Sequence, residues 1–590
     1  MRSRHLVLSS NKRAWKSDTP ILFLGNWCFQ NDKKKILSSL DAIVAEPYGL
    51  SKKDKDRDFI KAKEIEEKLL EQLTLVLNEY HSTNFEKRYW QILLGHWLRR
   101  YINVMLNRKN TLEQCLKKYN VSMVSLFTDD NYELATDNTI SALWAFNDDQ
   151  WNNVLYKKLF KYLDINIPIN FIPRDDKSSF AFKGLKYPKT SYKKMLSYIK
   201  IIISKLLTIF SKKSDGFIIE SFMGLKNELG LQLRLGQLPQ IWRTESFELS
   251  KTYNSKHRNI LRKNINIAFS DNSDEFIYDM LFQLMPICFI EGYQELNQNV
   301  MKLKWPKNPR FIFTCNSFDT DELFKAWTAM KVINGSKYIV GQHGANYGTY
   351  SYMNPSVEEV TADSFLTWGW EDGLIQHKPM FITKKINLKE KEYDSHGRLL
   401  FIQDMLYHRA DTWDRNAEHE IYFNQQKIFY NNLSIKPKES VTLRLHSSYI
   451  LRNPNEKKLW LDHDKSVYVD NGNSPIEELI KKSRIVVFSY DSTGMLEILS
   501  KNIPVIAFWE NQLDCIRESA KIYYESLHKA KIIHFSPESA AEQINDIWED
   551  IESWWESHEV QNARKLFCNN YAKRSNKPVN DLSKYLLEKI

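Results

Sequence analysis

The run Val487-Phe-Ser-Tyr-Asp-Ser-Thr-Gly-Met-Leu-Glu497 holds the residue types that a phosphate and a sugar hydroxyl require. A buried strand is expected to end at Phe488, with Ser489, Asp491, Ser492, Thr493 and Gly494 forming a small polar turn. A helix then opens near Ser492 and Pro504 starts the next strand. The first turn of a helix carries N–H groups without intrahelical partners, so a phosphate fits at Ser492, Thr493 and Gly494. Glu497 follows about one turn on, where a carboxylate can accept hydrogen bonds from a ribose diol. The bland alternative is ordinary N-capping by Asp491 or Ser492, which occurs at any strand-to-helix turn.

A second cluster is Gly335-Ser-Lys-Tyr-Ile-Val-Gly-Gln-His-Gly-Ala-Asn-Tyr-Gly348. Here a strand runs into a turn bracketed by Gly341 and Gly344, where backbone can approach a ligand closely, and which presents Gln342 and His343. A histidine at a strand end can be a general base or a donor to phosphate, although a lone histidine is more often structural. Arg444 and His446 end another expected strand, on one face by alternation, and the forked guanidinium suits a phosphate clamp. Glu220 and Asp404 follow two further strands as candidate carboxylate bases or nucleophiles. Gly25, Asn26 and Trp27 follow the first strand and are expected to face an acceptor. Asp462-His-Asp464 has the spacing of a metal motif but lies in a charged loop, so no metal is expected.

Parallel α/β sheets are the elements that bring such turns together. Short apolar runs recur at Ile21–Leu24, Val121–Phe127, Gly216–Glu220, Arg310–Thr314, Tyr338–Gly341 and Phe365–Trp368. A second series follows at Leu399–Ile402, Val441–Leu445, Ser466–Val469, Ile485–Phe488, Val505–Phe508 and Ile532–Phe535. Amphipathic stretches such as Asp58–Tyr80, Thr320–Asn334 and Pro475–Lys482 separate them, so two doubly wound domains are expected. The charged stretch Asn387–His396 marks the boundary. Domains are placed at 1–390, with helical insertions, and at 397–550, and the helices of 551–590 are expected to pack back on the first.

The chain has 590 residues, 43% of them apolar and 26% charged, which excludes a disordered or fibrous protein. Basic residues exceed acidic ones by 83 to 73, a spread-out +10 that suits anionic lipid or phosphate-bearing substrates more than a nucleic acid. Six cysteines without a C-x-x-C pair, no secretory signal and no 18-residue apolar stretch lead to a cytoplasmic expectation. In 192–213 a helix would set Lys193, Lys194, Lys200, Lys205 and Lys212 opposite Ile199, Ile202, Leu206 and Phe210. Such a helix can lie in a membrane interface, or pack its apolar face on the core.

Asp491–Glu497 with Asn502-Ile-Pro-Val505 resembles the nucleotide-sugar loop of GT-B glycosyltransferases and of UDP-GlcNAc 2-epimerases. That resemblance implies a phosphate role for Ser492 and Thr493 and a ribose role for Glu497, although Thr493 stands where the epimerases more often have Gly. Further blocks are Ile21–Cys28, Arg88–Gly95, Val340–Gly344, Phe365–Trp370, Arg444–His446, Ile551–Trp555 and Ala563–Cys568. Together they resemble the transferases encoded in bacterial O-antigen and surface-polysaccharide clusters, over nearly the whole chain. The Gln-His-Gly turn is also similar to that of capsule-type transferases that use CMP-activated ulosonic acids such as Kdo.

The resemblance implies a GT-B-like α/β fold of two Rossmann-type domains facing a cleft, and a metal-independent glycosyltransferase. It would have no cofactor besides a nucleotide-sugar co-substrate, CMP-linked in the Kdo case, and would act on a glycan or lipid-linked glycan at the inner face of the membrane. A polyol-phosphate transferase, a nucleotide-sugar epimerase and a non-catalytic sugar-nucleotide-binding scaffold are the alternatives.

Overall fold

A computed structural model describes residues 2–588 except 17, 30–36, 129–131, 174–210, 244–246, 266–271, 385–388, 405–418, 448–454 and 511. The basic amphipathic segment expected over 192–213 falls, but for its last three residues, outside the described residues.

Sixteen strands form three parallel sheets among the described residues. The first holds β1 (Arg4–Val7), β2 (Ile21–Phe23), β3 (Ala42–Val44), β4 (Val121–Phe127) and β5 (Ile169–Ile172), ordered β3-β2-β1-β4-β5. The second holds β6 (Phe217–Ile219), β7 (Phe311–Thr314), β8 (Lys337–Gly341), β9 (Ser364–Thr367) and β10 (His377–Pro379), which neighbour one another in chain order. The third holds β11 (Arg398–Ile402), β12 (Val441–Arg444), β13 (Tyr468–Asp470), β14 (Ser483–Phe488), β15 (Val505–Phe508) and β16 (Ile533–His534). Its order is β13-β12-β11-β14-β15-β16, the doubly wound pattern in which winding reverses between β11 and β14. Central strands such as β7 and β15 are buried at every residue. The apolar runs Phe311–Phe313 and Val505–Phe508 reflect a parallel sheet covered on both faces.

A long helical hairpin joins the first two sheets. Helix α1 (Lys52–His81) starts where Ser51 accepts a hydrogen bond from the Asp54 N–H. It stops at Ser82, which adopts the left-handed conformation with φ of 53°. Helix α2 (Lys87–Lys118) is buried around much of its circumference, with Trp90, Trp97 and Tyr101 at most 1% exposed. Its arginines reach loops of the second sheet. Arg88 donates to the Thr361 carbonyl at 2.7 Å, Arg99 to the Pro355 carbonyl at 2.9 Å, and Arg100 pairs with Asp319 at 2.5 Å. Asp319 precedes α3 (Glu322–Ile333), and Thr361 ends α4 (Val357–Thr361).

The second and third sheets meet in a GT-B-like arrangement. Tyr350 and Ile516 form an antiparallel bridge flanked by hydrogen bonds from Ser351 N–H to the Cys515 carbonyl (2.9 Å) and from Arg517 N–H to the Thr349 carbonyl (2.8 Å). Helix α5 (Thr493–Ser500) follows β14, and the chain ends in α6 (His558–Tyr571) and α7 (Pro578–Glu588). Arg564 of α6 donates to the Leu499 carbonyl of α5 at 3.1 Å. Lys573 N–H then bonds the Trp368 carbonyl at 2.9 Å, and Leu582 and Leu586 join the core around Ile218 and Phe313 of the second sheet.

Candidate functional site

The turn after β14 is built from short polar side chains and a forced glycine. Ser492 Oγ accepts from Met495 N–H at 3.0 Å, so this side chain caps α5, the plain alternative raised by the sequence. A Cβ on Gly494 would lie 2.7 Å from the Phe488 ring, so glycine lets the helix start rest on the strand end. The N–H groups of Thr493 and Gly494, at the first turn of α5, make no hydrogen bond among the described residues. Asp491 accepts from Tyr524 Oη at 3.0 Å. Ser489 Oγ lies 2.6 Å from Tyr422 Oη, which also accepts from Asp404 N–H at 2.6 Å. Tyr422 thus ties Asp404, after β11, to the turn after β14.

Thr493 makes the contact that assembles the site. Its Oγ1 accepts from the Ala345 N–H at 2.9 Å, and a Cβ on Gly344 would come within 2.8 Å of it. The Gln342–Gly344 turn of the second sheet therefore abuts the Ser492–Gly494 turn of the third. Gly344 is glycine because another backbone passes there.

Beside this junction lies a cavity of about 230 Å³ at the ends of β11, β12 and β14. Its apolar wall comes from Ile402, Leu445, Ile476, Ile480 and Ile498, and its polar side from Arg444, His446, Tyr490, Gly494 and Glu497. Ligands of doubly wound sheets occupy this place, outside the carboxyl ends of the strands where winding reverses. Glu497 is 7% exposed and lines the cavity one turn beyond Gly494. Arg444 departs from expectation: its guanidinium pairs with Asp470 and donates to the Gly472 carbonyl at 3.1 Å. It braces the β12–β13 edge of the cavity, and a phosphate would have to share it with a carboxylate already in place.

Gln342 is likewise committed to the protein. Its Nε2 donates to the Gly344 carbonyl at 2.8 Å, and its Oε1 accepts from Trp368 N–H (2.9 Å) and Trp370 Nε1 (2.8 Å). The side chain shapes the turn and, at 1% exposed, presents little surface to the donor expected there. His343 stands beside it with Nδ1 2.9 Å from Tyr347 Oη, and Tyr347 Oη hydrogen-bonds Glu358 in turn. Burial, assisted by the positive charge of Lys384, lowers the His343 pKa to about 4, so the ring is neutral near pH 7.

Two expectations change with the topology. Glu220 follows β6, the edge strand of the second sheet and two strands from β8; its side chain is exposed and its φ is +51°. At about 4.8 Å per strand it stands roughly 10 Å across the sheet from the histidine turn, and is not brought to it. Gly25, Asn26 and Trp27 follow β2 of the first sheet, where the Trp27 ring folds over Gly25 into the core. The acceptor expectation for them assumed a single N-terminal sheet, whereas the sheet whose turns meet α5 is the second. Residues that the sequence did not single out are Tyr347, Glu358, Tyr422 and Glu456. Tyr347 sits inside the Gln-His-Gly-Ala-Asn-Tyr run, but no spacing signals its partner eleven residues on.

A family model described as "LIC12162 family transferase" matches residues 4–586. No curated protein matches the chain. Among solved structures, the wall teichoic acid polymerase TagF is similar at 12% identity, covering 67% of this chain and 96% of its own, with a TM-score of 0.32. The UDP-GlcNAc 2-epimerase from Neisseria meningitidis bound to UDP-GlcNAc is similar at 11% identity, covering 68% and 98%, with a TM-score of 0.33. Spinosyn rhamnosyltransferase SpnG covers 50% and 78% at 10% identity, with a TM-score of 0.30. The family match spans nearly the whole chain, so the protein belongs to the LIC12162 family of transferases.

Proposed function

We propose that this LIC12162-family transferase moves a sugar from a nucleotide-activated donor to a growing surface glycan, with the nucleotide in the cavity at the ends of β11, β12 and β14. The observation that carries the reading is the Ala345–Thr493 contact, which sets a neutral histidine beside a helix N-terminus. In this account the open N–H groups of Thr493 and Gly494 and the α5 dipole take the phosphate, and Glu497 takes the ribose hydroxyls. His343 accepts the proton of the acceptor hydroxyl as that oxygen bonds to the sugar carbon. The bond from that carbon to the phosphate oxygen breaks, and the leaving electron pair is stabilised at the helix N-terminus. The acceptor is a surface glycan or its lipid-linked precursor, met at the inner face of the membrane. Among the described residues no helix is long and apolar enough to cross a membrane.

A thermal-shift screen against CMP, CDP, UDP and GDP tests the reading. A nucleotide at 100 times its Kd stabilises the folded state by roughly 2.7 kcal/mol, a visible shift in Tm. A response to CMP alone favours an ulosonic-acid donor, and a response to UDP alone discards it. No shift with any of the four overturns the nucleotide site. Nucleotide binding without turnover, unaffected by His343→Gln, would point to a non-catalytic scaffold instead.

A further inference from the structure

His343 is neutral, so one of its ring nitrogens carries a hydrogen and the other a lone pair, and only a lone pair facing the cleft can accept a proton. Nδ1 lies 2.9 Å from Tyr347 Oη. Tyr347 is 2% exposed, and its hydroxyl also contacts Glu358 Oε1; Glu358 is itself 3% exposed. A phenol has one hydrogen to give, and Tyr347 Oη stands as the donor to Glu358 Oε1, although burial raises the Glu358 pKa. If Tyr347 gives its hydrogen to Glu358, its oxygen must accept from His343 Nδ1–H. Nε2, which makes no hydrogen bond among the described residues, then holds the lone pair.

The surroundings hold the relay in place. Glu358 lies on α4, and its Oε2 is 3.7 Å from His96 Nε2 of α2. His96 Nδ1 is 3.8 Å from Asp319, which pairs with Arg100. The Phe318 ring packs between the His96 and His343 rings, at centroid distances of 5.2 and 5.8 Å. The charges that bear on His343 are Lys384, Asp319 and Arg100, and those on Tyr347 are Glu358, Glu359 and Asp319. The helical hairpin and the loops of the second sheet thus both orient one histidine.

We propose that Tyr347 and Glu358 are positioning residues that fix His343 as the Nδ1–H tautomer and leave Nε2 as the proton acceptor. This rests on the base role given to His343 above. In the step, the hydroxyl proton of the acceptor passes to Nε2 and the ring becomes an imidazolium with both nitrogens protonated. The Nδ1–H stays bonded to Tyr347 Oη, and the Glu358 carboxylate stabilises the new charge through the phenol. After the product leaves, Nε2 returns its proton to solvent.

The test is the histidine tautomer itself, read by NMR on the full chain labelled with 13C and 15N at histidine. The His343 signals are assigned by their loss in His343→Gln. Wild-type protein at neutral pH should show the hydrogen on Nδ1. In Tyr347→Phe, removal of one hydrogen bond should cut the preference for that tautomer about tenfold. Glu358→Gln should weaken the preference too, because an amide can donate to the phenol and turn the relay round. A wild-type ring with its hydrogen on Nε2 overturns the proposal without any variant, and so does a tautomer unchanged in both variants. The base role is tested separately, by nucleotide release from whichever donor the melting screen selects. Undiminished release by His343→Gln overturns that role, and the proposal with it, whatever tautomer is found.

Discussion

Glu456 shows how burial sets the chemistry of single side chains near the cleft. It opens the helix Glu456–His463, whose Trp460 Nε1 donates to Gln403 Oε1 at 3.1 Å beside the end of β11. With 4% of its surface exposed and the Asp404 carboxyl near, its pKa is pushed up to about 8 from 4.5. The folded chain therefore keeps this proton from about pH 4.5 to about 8, where the unfolded chain has lost it. Stability falls as pH rises through that window, by at most about 1.4 kcal/mol per pH unit. Urea denaturation across that window should show Glu456→Gln losing less stability toward alkaline pH than wild type, and equal losses would remove the assignment. For His343 the sign is opposite: its pKa is lowered to about 4, so its contribution is present above about pH 6.5 and is lost as pH falls toward 4. The sequence marks His343, Thr493, Gly494 and Glu497 by residue type and strand-end position. It cannot mark Asp470 as the partner of Arg444, or Glu358 as the partner of Tyr347, because side-chain pairing across loops leaves no periodicity to read.

At the scale of elements, α2 carries the N-terminal half. Its apolar and aromatic side chains are buried on several faces, and Trp97 stacks on Tyr101 at a centroid distance of 5.1 Å. Trp97→Ala should cost about 3–5 kcal/mol, because an indole-sized cavity would open where the hairpin packs. Calorimetry should show a large fall in Tm, and a fall of only a degree or two would mean that the hairpin is not part of the cooperative unit. The twelve strands expected from apolar runs all occur, Val121–Phe127 and Val505–Phe508 with the expected bounds and the others within two residues at either end. Those not foreseen, β1, β3, β5 and β10, have only three or four residues each, two of them carrying a basic side chain. Without β1, β3 and β5 the first sheet left too faint a trace to be separated from the second. So a single N-terminal sheet was expected where the structure has two, and Gly25–Trp27 was assigned to a cleft formed by the other.

At the scale of the molecule, backbone hydrogen bonds and an ion pair together join the second and third sheets. Arg517 gives its N–H to Thr349, and its φ of −59° is one proline adopts without strain. Arg517→Pro should therefore remove one hydrogen bond of the joint, and the side chain that reaches Asp372 at 3.4 Å, while leaving every strand intact. Small-angle scattering should give a larger radius of gyration with unchanged far-UV circular dichroism, and an unchanged radius would mean that the remaining contacts, with α6 and α7, suffice to hold the halves together. The contact between Ala345 and Thr493 spans 148 positions of chain. At roughly 5–20 residues per second, a ribosome needs about 7–30 s to make that interval. During that delay the histidine turn of the nascent chain lacks its counterpart, and Lys573 reaches Trp368 later still. Vectorial synthesis thus leaves the proposed site incomplete until α5 has emerged, and a chain cut short before Thr493 would carry the histidine without the helix N-terminus that meets its turn.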